Sequence, residues 1–232
     1  MSQNKFVTAI ILAAGRGERM NSRIAKQHIE ILGESILMHS IKAFSECKLI
    51  SSIMLVLRDS DIPDFDKSVL NKYPKITSVV SGGSSRAESA KNAFLQIPEE
   101  TDFVAIHDAA RCLITAENIE KVVLSALKYG AATAVSTVKD TLKLVDSDGF
   151  VSKTVSRCGL YKAQTPQVFS AEKYRAALEY NQGLDGITDD NMLLEQTGEK
   201  IFAVDIGDEN IKITTQADLE YAEFVLRKRG NV

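Results

Sequence analysis

No CxxC pair occurs anywhere in this chain. Its three cysteines, Cys47, Cys112 and Cys158, are an odd and scattered set. That spacing argues against a zinc ribbon or a disulfide scaffold and fits reduced thiols. Histidine is equally sparse, and His28, His39 and His107 lack the helical spacing of a metal-binding pair. No apolar run approaches the roughly 20 residues needed to span a bilayer. The polar start, MSQNKF, is unlike a secretory leader. Nor is there an excess of positive charge. With 28 Lys and Arg against 31 Asp and Glu, the net charge is -3, which argues against a general nucleic-acid binder. The expectation is a cytoplasmic protein with neither a membrane nor a nucleic acid as partner.

Ordinary globular material remains: 232 residues, 44% apolar and 25% charged. Strand-like runs at residues 6–13, 53–57, 75–80, 102–107 and 131–138 alternate with helical patterns at 35–44, 64–73, 85–96 and 115–128. Gly130 closes the last of these helices. Continuous apolar runs of strand length fit strands covered on both faces, and alternation with helices predicts an α/β fold with a mostly parallel central sheet. The pattern breaks at Lys139. Residues 140–156 read as two short arms around Asp148-Gly149, a strong hairpin signal. Residues 157–167 read as a loop around Pro166. Helices follow at 170–181, with Ser170 as cap, at 188–196 and at 215–229, with short strands at 201–206 and 210–213. With no linker or repeat, 1–232 is expected to be a single domain from which a β-hairpin arm, 139–157, protrudes.

In such sheets ligands lie beyond the carboxyl ends of the strands, and three ends carry unusual residues. The first reads AAGRGERM and gathers Arg16, Arg19, Arg23 and Lys26 against Glu18 alone. Local positive charge in an acidic chain suits a small anion. Neither the dinucleotide fingerprint GxGxxG nor the GxxxxGK[ST] loop fits. By itself the stretch is either an anion cradle or a glycine turn with solvated charges. The second end, SGGSSRAES, joins a glycine pair to a helix start, which suits an anion or an ordinary capped turn. The third, HDAAR, presents Asp108 to orient a hydroxyl or a metal-bound water and Arg111 to take a phosphate, or else the two form a structural pair. Arg157 and Lys212, each read alone, are solvated surface charges, and Thr188-Asp189 is a helix cap.

In order, AAGxGxRM with Lys26-Gln27, GGxxRxxS, HDAAR, KDT, AQTPQ, ITD and NIKIT resemble the 2-C-methyl-D-erythritol 4-phosphate cytidylyltransferases, from about Val7 to Phe224. The resemblance implies a Rossmann-like fold of nucleotidyltransferase type and transfer of a cytidylyl group from CTP to a polyol phosphate. By matching position it implies Arg19, Lys26, Arg157 and Lys212 as catalytic cations. Ala13, Ala14, Gly15, Gly17, Gly83, Arg86 and Ser89 are then the nucleotide contacts. Asp108, Arg111, Thr141, Arg157, Thr188 and Lys212 surround the polyol phosphate. It further implies Mg²⁺ or another divalent cation, held mainly by the CTP phosphates with no certain protein ligand, and a homodimer built through the 139–157 arm.

The sequence departs from the family pattern at Ala25 and Cys112, each in place of a proline, and at Tyr161, in place of a tryptophan. Tyr161 keeps the ribitol-5-phosphate cytidylyltransferases in view as the nearest siblings. A non-catalytic nucleotide-binding protein of the same fold is the reading from a different class, and retention of Arg19, Lys26, Arg157 and Lys212 speaks against it.

Overall fold

The first apolar run forms β1 (Val7–Leu12), buried at all six positions. Val7, Ala9 and Ile11 enter one core cluster, while Ile10 and Leu12 enter another. Side chains alternate between the two faces of a strand, so apolar residues at both parities require cover on both sides, and β1 lies inside a sheet. The computed structural model describes residues 5–15, 29–181 and 183–230.

Around β1 are β4 (Ser52–Leu57), β5 (Ile76–Ser81), β6 (Phe103–Asp108), β7 (Ala131–Thr137), β10 (Tyr161–Ser170) and β11 (Phe202–Asp205), in the order β11-β7-β10-β6-β1-β4-β5. Every pairing is parallel except those of β10, which runs antiparallel to both β6 and β7. The α1 helix (Ile36–Glu46) and α4 (Ala116–Tyr129) cover one face through Leu37, Ile41, Phe44, Ile119, Val122 and Val123. The other face is covered by α3 (Arg86–Phe94), α5 (Ala171–Tyr180) and α6 (Asn191–Gln196), which contribute Ala90, Phe94, Tyr174, Ala177 and Leu193. A third cluster packs α7 (Gln216–Lys228) on Ile31, Ile36, Cys112 and Ile213. Small hairpins are formed by β2 (Glu30–Ile31) with β3 (Glu34–Ser35), and by β8 (Leu142–Val145) with β9 (Val151–Val155). The second of these is the expected arm.

Local chemistry explains the boundaries. Ser35, Ser85, Thr115 and Thr215 each accept an N–H of the first helical turn through their side chains, contacts worth about 0.5–2 kcal/mol apiece. Gly130 ends α4 at φ 88°, a left-handed conformation that favours glycine.

Four expectations need correction. Residues 161–167, expected as part of a loop, belong to the longest strand, β10 (Tyr161–Ser170). Its register shifts between Ala163 and Gln167, and such an irregularity is where a sheet tolerates a proline that has no N–H to give. Residues 210–213, expected as a strand, form none. Asn210 Nδ2 instead donates to Gln164 Oε1 and to the Thr165 carbonyl, and Ile213 N–H donates to the Ala110 carbonyl. The helix expected over 64–73 shrinks to α2 (Ser68–Lys72), which buries no residue fully and packs only the half-buried Val69 and Leu70 on the core. Ser170 precedes α5 but makes no capping bond with its side chain.

Candidate active site

The carboxyl ends of β1, β4, β5 and β6 open onto one cavity of about 730 Å³. Its wall takes Leu12–Gly15 from β1, Arg58–Ser60 from β4 and Ser81–Arg86 with Ser89 from β5 and α3. Asp108–Ala110 from β6 and Lys212–Thr214 complete it. Gly82 sits where two of these loops touch. A Cβ there would lie 2.4 Å from Ala14 Cβ and 3.0 Å from Ser89 Oγ, so any larger residue forces the β1 and β5 loops apart.

Three backbone N–H groups of the second loop are already committed. Gly82 donates to the Leu57 carbonyl at 2.8 Å, Gly83 to Ser89 Oγ at 2.9 Å and Ser84 to Glu88 Oε2 at 2.6 Å. Ser89 Oγ in turn donates to the Ser85 carbonyl. These bonds stiffen the loop; those three groups are therefore not the free anion donors that the glycine pair suggested.

The charges of the site form an alternating chain. Asp190 Oδ2 accepts from Arg86 Nη1 at 2.7 Å, Asp108 Oδ1 from Arg86 Nε at 2.8 Å, and Asp108 Oδ2 from Lys212 Nζ at 2.5 Å. Burial alone would push the Asp108 carboxyl up. Arg86 and then Lys212 overcome this and hold it well below the usual carboxylate range, because each favours the charged form. Asp108 is thus an anion at any physiological pH. Lys212, with 39% of its side chain exposed, lines the cavity and is open to it.

His107, next to Asp108, faces the interior. Its Nδ1 lies 2.9 Å from Thr165 Oγ1, and burial pushes its pKa down to about 3. It is neutral and fully buried. Cys112, in the family's proline position, is buried in the cluster beneath α7, and burial pushes its thiol up to about 12.

Of the candidate site residues, Ala13, Ala14, Gly15, Gly83, Arg86, Ser89, Asp108 and Lys212 line the cavity. Arg86 does so differently, with its guanidinium spent on Asp108 and Asp190. Arg111 does not reach the cavity wall and is not paired with Asp108. Its Nη1 and Nη2 donate to the Asn210 and Ala163 carbonyls, bracing the 210–214 segment against β10. Thr141 and Arg157 are exposed on the arm, where Arg157 Nη1 donates to the Lys139 carbonyl. Tyr161 is exposed at the start of β10. Thr188 is exposed, and the cap of α6 comes from Asp189, whose Oδ1 accepts the Met192 N–H. Arg16, Gly17, Arg19, Arg23, Ala25, Lys26 and His28 lie outside the described residues.

Two groups escaped the sequence reading. Arg58–Ser60 would have followed from reading the β4 end as the other three ends were read. Asp190 and Tyr174 carry no motif that marks them.

Comparison with known proteins supplies the family. The family model described as 2-C-methyl-D-erythritol 4-phosphate cytidylyltransferase matches residues 7–228. The chain is similar to the protein of that name from Caldanaerobacter subterraneus subsp. tengcongensis, 41% identical over 96% of this chain and 99% of the relative. It is likewise similar to that from Endomicrobium trichonymphae, 39% identical over 94% and 98%. Among solved structures, the 4-diphosphocytidyl-2C-methyl-D-erythritol synthase from Anaerococcus prevotii superposes with a TM-score of 0.84 at 32% identity, covering 97% of this chain and 100% of that one.

Proposed function

Since the chain belongs to the 2-C-methyl-D-erythritol 4-phosphate cytidylyltransferase family and is a CTP-dependent cytidylyltransferase, we propose that the cavity at the ends of β1, β4, β5 and β6 is where it performs the transfer. The reaction passes a cytidylyl group from CTP to 2-C-methyl-D-erythritol 4-phosphate and releases pyrophosphate. The observation that carries the site assignment is the meeting, on one cavity wall, of the β1 loop, the β5 loop, Asp108 and Lys212.

An oxygen of the polyol's phosphate attacks the α-phosphorus of CTP. The bond from that phosphorus to its bridging oxygen breaks, and pyrophosphate leaves with the electron pair. A phosphomonoester has its second pKa near ~6, so the nucleophile arrives largely dianionic and needs no general base. The neutral, buried His107 suits a site that requires none. What remains is repulsion between anions and charge growing on the transferred group, which positioned cations offset. Lys212 supplies one such cation from the described wall, and the family pattern adds Arg19 and Lys26. Ala13–Gly15, Gly83 and Ser89 form the nucleotide side. Asp108, anionic and fixed at both oxygens, retains lone pairs to accept the polyol's hydroxyls.

The family pattern also brings a divalent cation. Among the described residues no group of three His, Cys, Asp or Glu side chains is placed to hold one, and both Asp108 oxygens already face cations. Mg²⁺ usually keeps waters and binds substrate phosphates in place of an all-protein cage, so it enters this proposal with the triphosphate. It would supply charge neutralisation there.

The arm, 139–157, is proposed to join two copies and to carry Thr141 and Arg157 into the partner's site. Support comes from Leu144, Val145, Phe150 and Val151, all exposed, on a two-stranded hairpin that is at best marginally stable alone. No helix among the described residues is long and apolar enough to cross a membrane.

Pyrophosphate release measured side by side on methylerythritol phosphate and ribitol 5-phosphate tests the polyol, and faster turnover on ribitol 5-phosphate would refute it. Asp108→Asn tests the site: KM for the polyol phosphate is expected to rise about tenfold with KM for CTP unchanged. Unaltered kinetics would remove Asp108 from the site.

A further inference from the structure

Asp190 lies behind the cavity wall, fully buried. It occupies the position just before α6, yet its side chain makes no capping bond to that helix, a task Asp189 performs. Helix capping therefore does not explain an aspartate at 190. A buried carboxylate without counter-charge is costly, and this one is fully engaged. Arg86 Nη1 donates to Oδ2 and the Tyr174 hydroxyl to Oδ1, each at 2.7 Å, while the backbone N–H donates to Gln167 Oε1 at 2.9 Å. Tyr174 is itself fully buried on α5, and burial followed by the Asp190 charge keeps its hydroxyl protonated, a permanent donor.

From this anchor the order of contacts runs one way into the cavity. Asp190 fixes Arg86, the first residue of α3. Arg86 fixes Asp108 at the end of β6, and Asp108 holds Lys212. The last three line the cavity and Asp190 does not. The signs alternate, so the four charges sum to zero. Neutralising Asp190 leaves Arg86 with Asp108 as its remaining ionic partner and draws the guanidinium, and the carboxylate with it, away from the geometry that presents Lys212.

We infer that Asp190, seated by the Tyr174 hydroxyl, is a positioning residue for cytidylyl transfer, acting through Arg86 on Asp108 and Lys212. The inference rests on the cavity being the transfer site. Wild-type turnover and the Asp108→Asn kinetics report on that reading, whereas the behaviour of Asp190 is read from ratios between variants.

The experiment is a double-mutant cycle on the full chain, with kcat/KM for methylerythritol phosphate as readout and thermal unfolding as the check that each variant is folded. Asp190→Asn is expected to lower kcat/KM about tenfold in the wild-type background. In an Arg86→Gln background it should lower it less than about twofold, because the intermediary is already gone. Tyr174→Phe should show the same pattern at about threefold, and it carries the test if Asp190→Asn does not fold. A role confined to stability would shift unfolding and leave kcat/KM of the folded protein unchanged. Either that result, or full losses that multiply in the double variant, overturns the inference.

Discussion

At the cavity, Asp190, Arg86, Asp108 and Lys212 alternate in sign, and each finds its counter-charge within the same chain. The arm turns Leu144, Val145, Phe150 and Val151 to water at 50%, 52%, 72% and 61% exposure. Its root is secured, since Arg157 donates to the Lys139 carbonyl and Asp208 binds both Lys139 and Lys162. Its tip packs on nothing in the described chain. One region has internal partners for its costly groups, while the other displays apolar surface of the kind that marks an interaction site. The contrast separates charges satisfied within the chain from apolar surface left unpaired on the described arm.

The largest effect should come from the cavity. Lys212→Ala removes a cation aimed at developing phosphate charge and should lower turnover about a hundredfold. The melting temperature should fall only modestly, because the lysine is half-exposed while Asp108 keeps Arg86. Near-normal turnover in the folded variant would take Lys212 out of the chemistry. Next is the arm. Phe150→Asp with Val151→Asp should shift sedimentation from dimer to monomer and lower turnover about thirtyfold by withdrawing Arg157 from the second site. An active monomer would make the arm an ornament of the fold. Gly82→Ala should destabilise the protein by about 1–3 kcal/mol, since the new Cβ meets Ala14. The same change should raise KM for CTP, and unchanged unfolding would show that the two loops part freely.

These regions were unequally legible in the sequence. Apolar runs announced β1, β4, β6 and β7, which are buried at nearly every position, and the edge strand β5 through Ile76, Val79 and Val80. The arm was legible from Asp148-Gly149, whose glycine has φ 88°. β10 was not, because YKAQTPQ is polar and contains a proline. Its buried polar groups are satisfied by distant partners, Gln164 by Asn210 and the Gly207 carbonyl, and Gln167 by Asp189, which no local pattern reveals. The same holds at the site. Motifs found the residues at strand ends, whereas Asp190 and Tyr174 matter through contacts 104 and 16 residues away. Arg111 is a similar case: its composition suited a phosphate, and its Nη1 and Nη2 also donate to the backbone carbonyls of Asn210 and Ala163.

The last effect is one of pH and arises beside Asp108. His107 has its pKa pushed by burial from 6.5 down to about 3. Below pH 6.5 the unfolded chain takes up a proton that the folded chain refuses, so this group lowers stability as pH falls from about 6.5 toward about 3. The slope is about 1.4 kcal/mol per pH unit. Denaturant unfolding between pH 6 and pH 4 should show a slope shallower by one proton in His107→Gln. An identical slope in wild type and variant would mean that His107 is protonated in the folded protein.

The proposal that the arm of one copy completes the cavity of another is tested most directly by complementation. Lys212→Ala and Arg157→Ala proteins, each nearly inactive, are unfolded together and refolded. If the arm crosses to the partner, a mixed dimer has one site with both residues intact and one site lacking both. Random pairing makes half of the dimers mixed, so about a quarter of wild-type activity should return. Mixed dimers that form, as shown by differential tagging, yet stay at the single-variant level would contradict the account and place Arg157 in the site of its own chain.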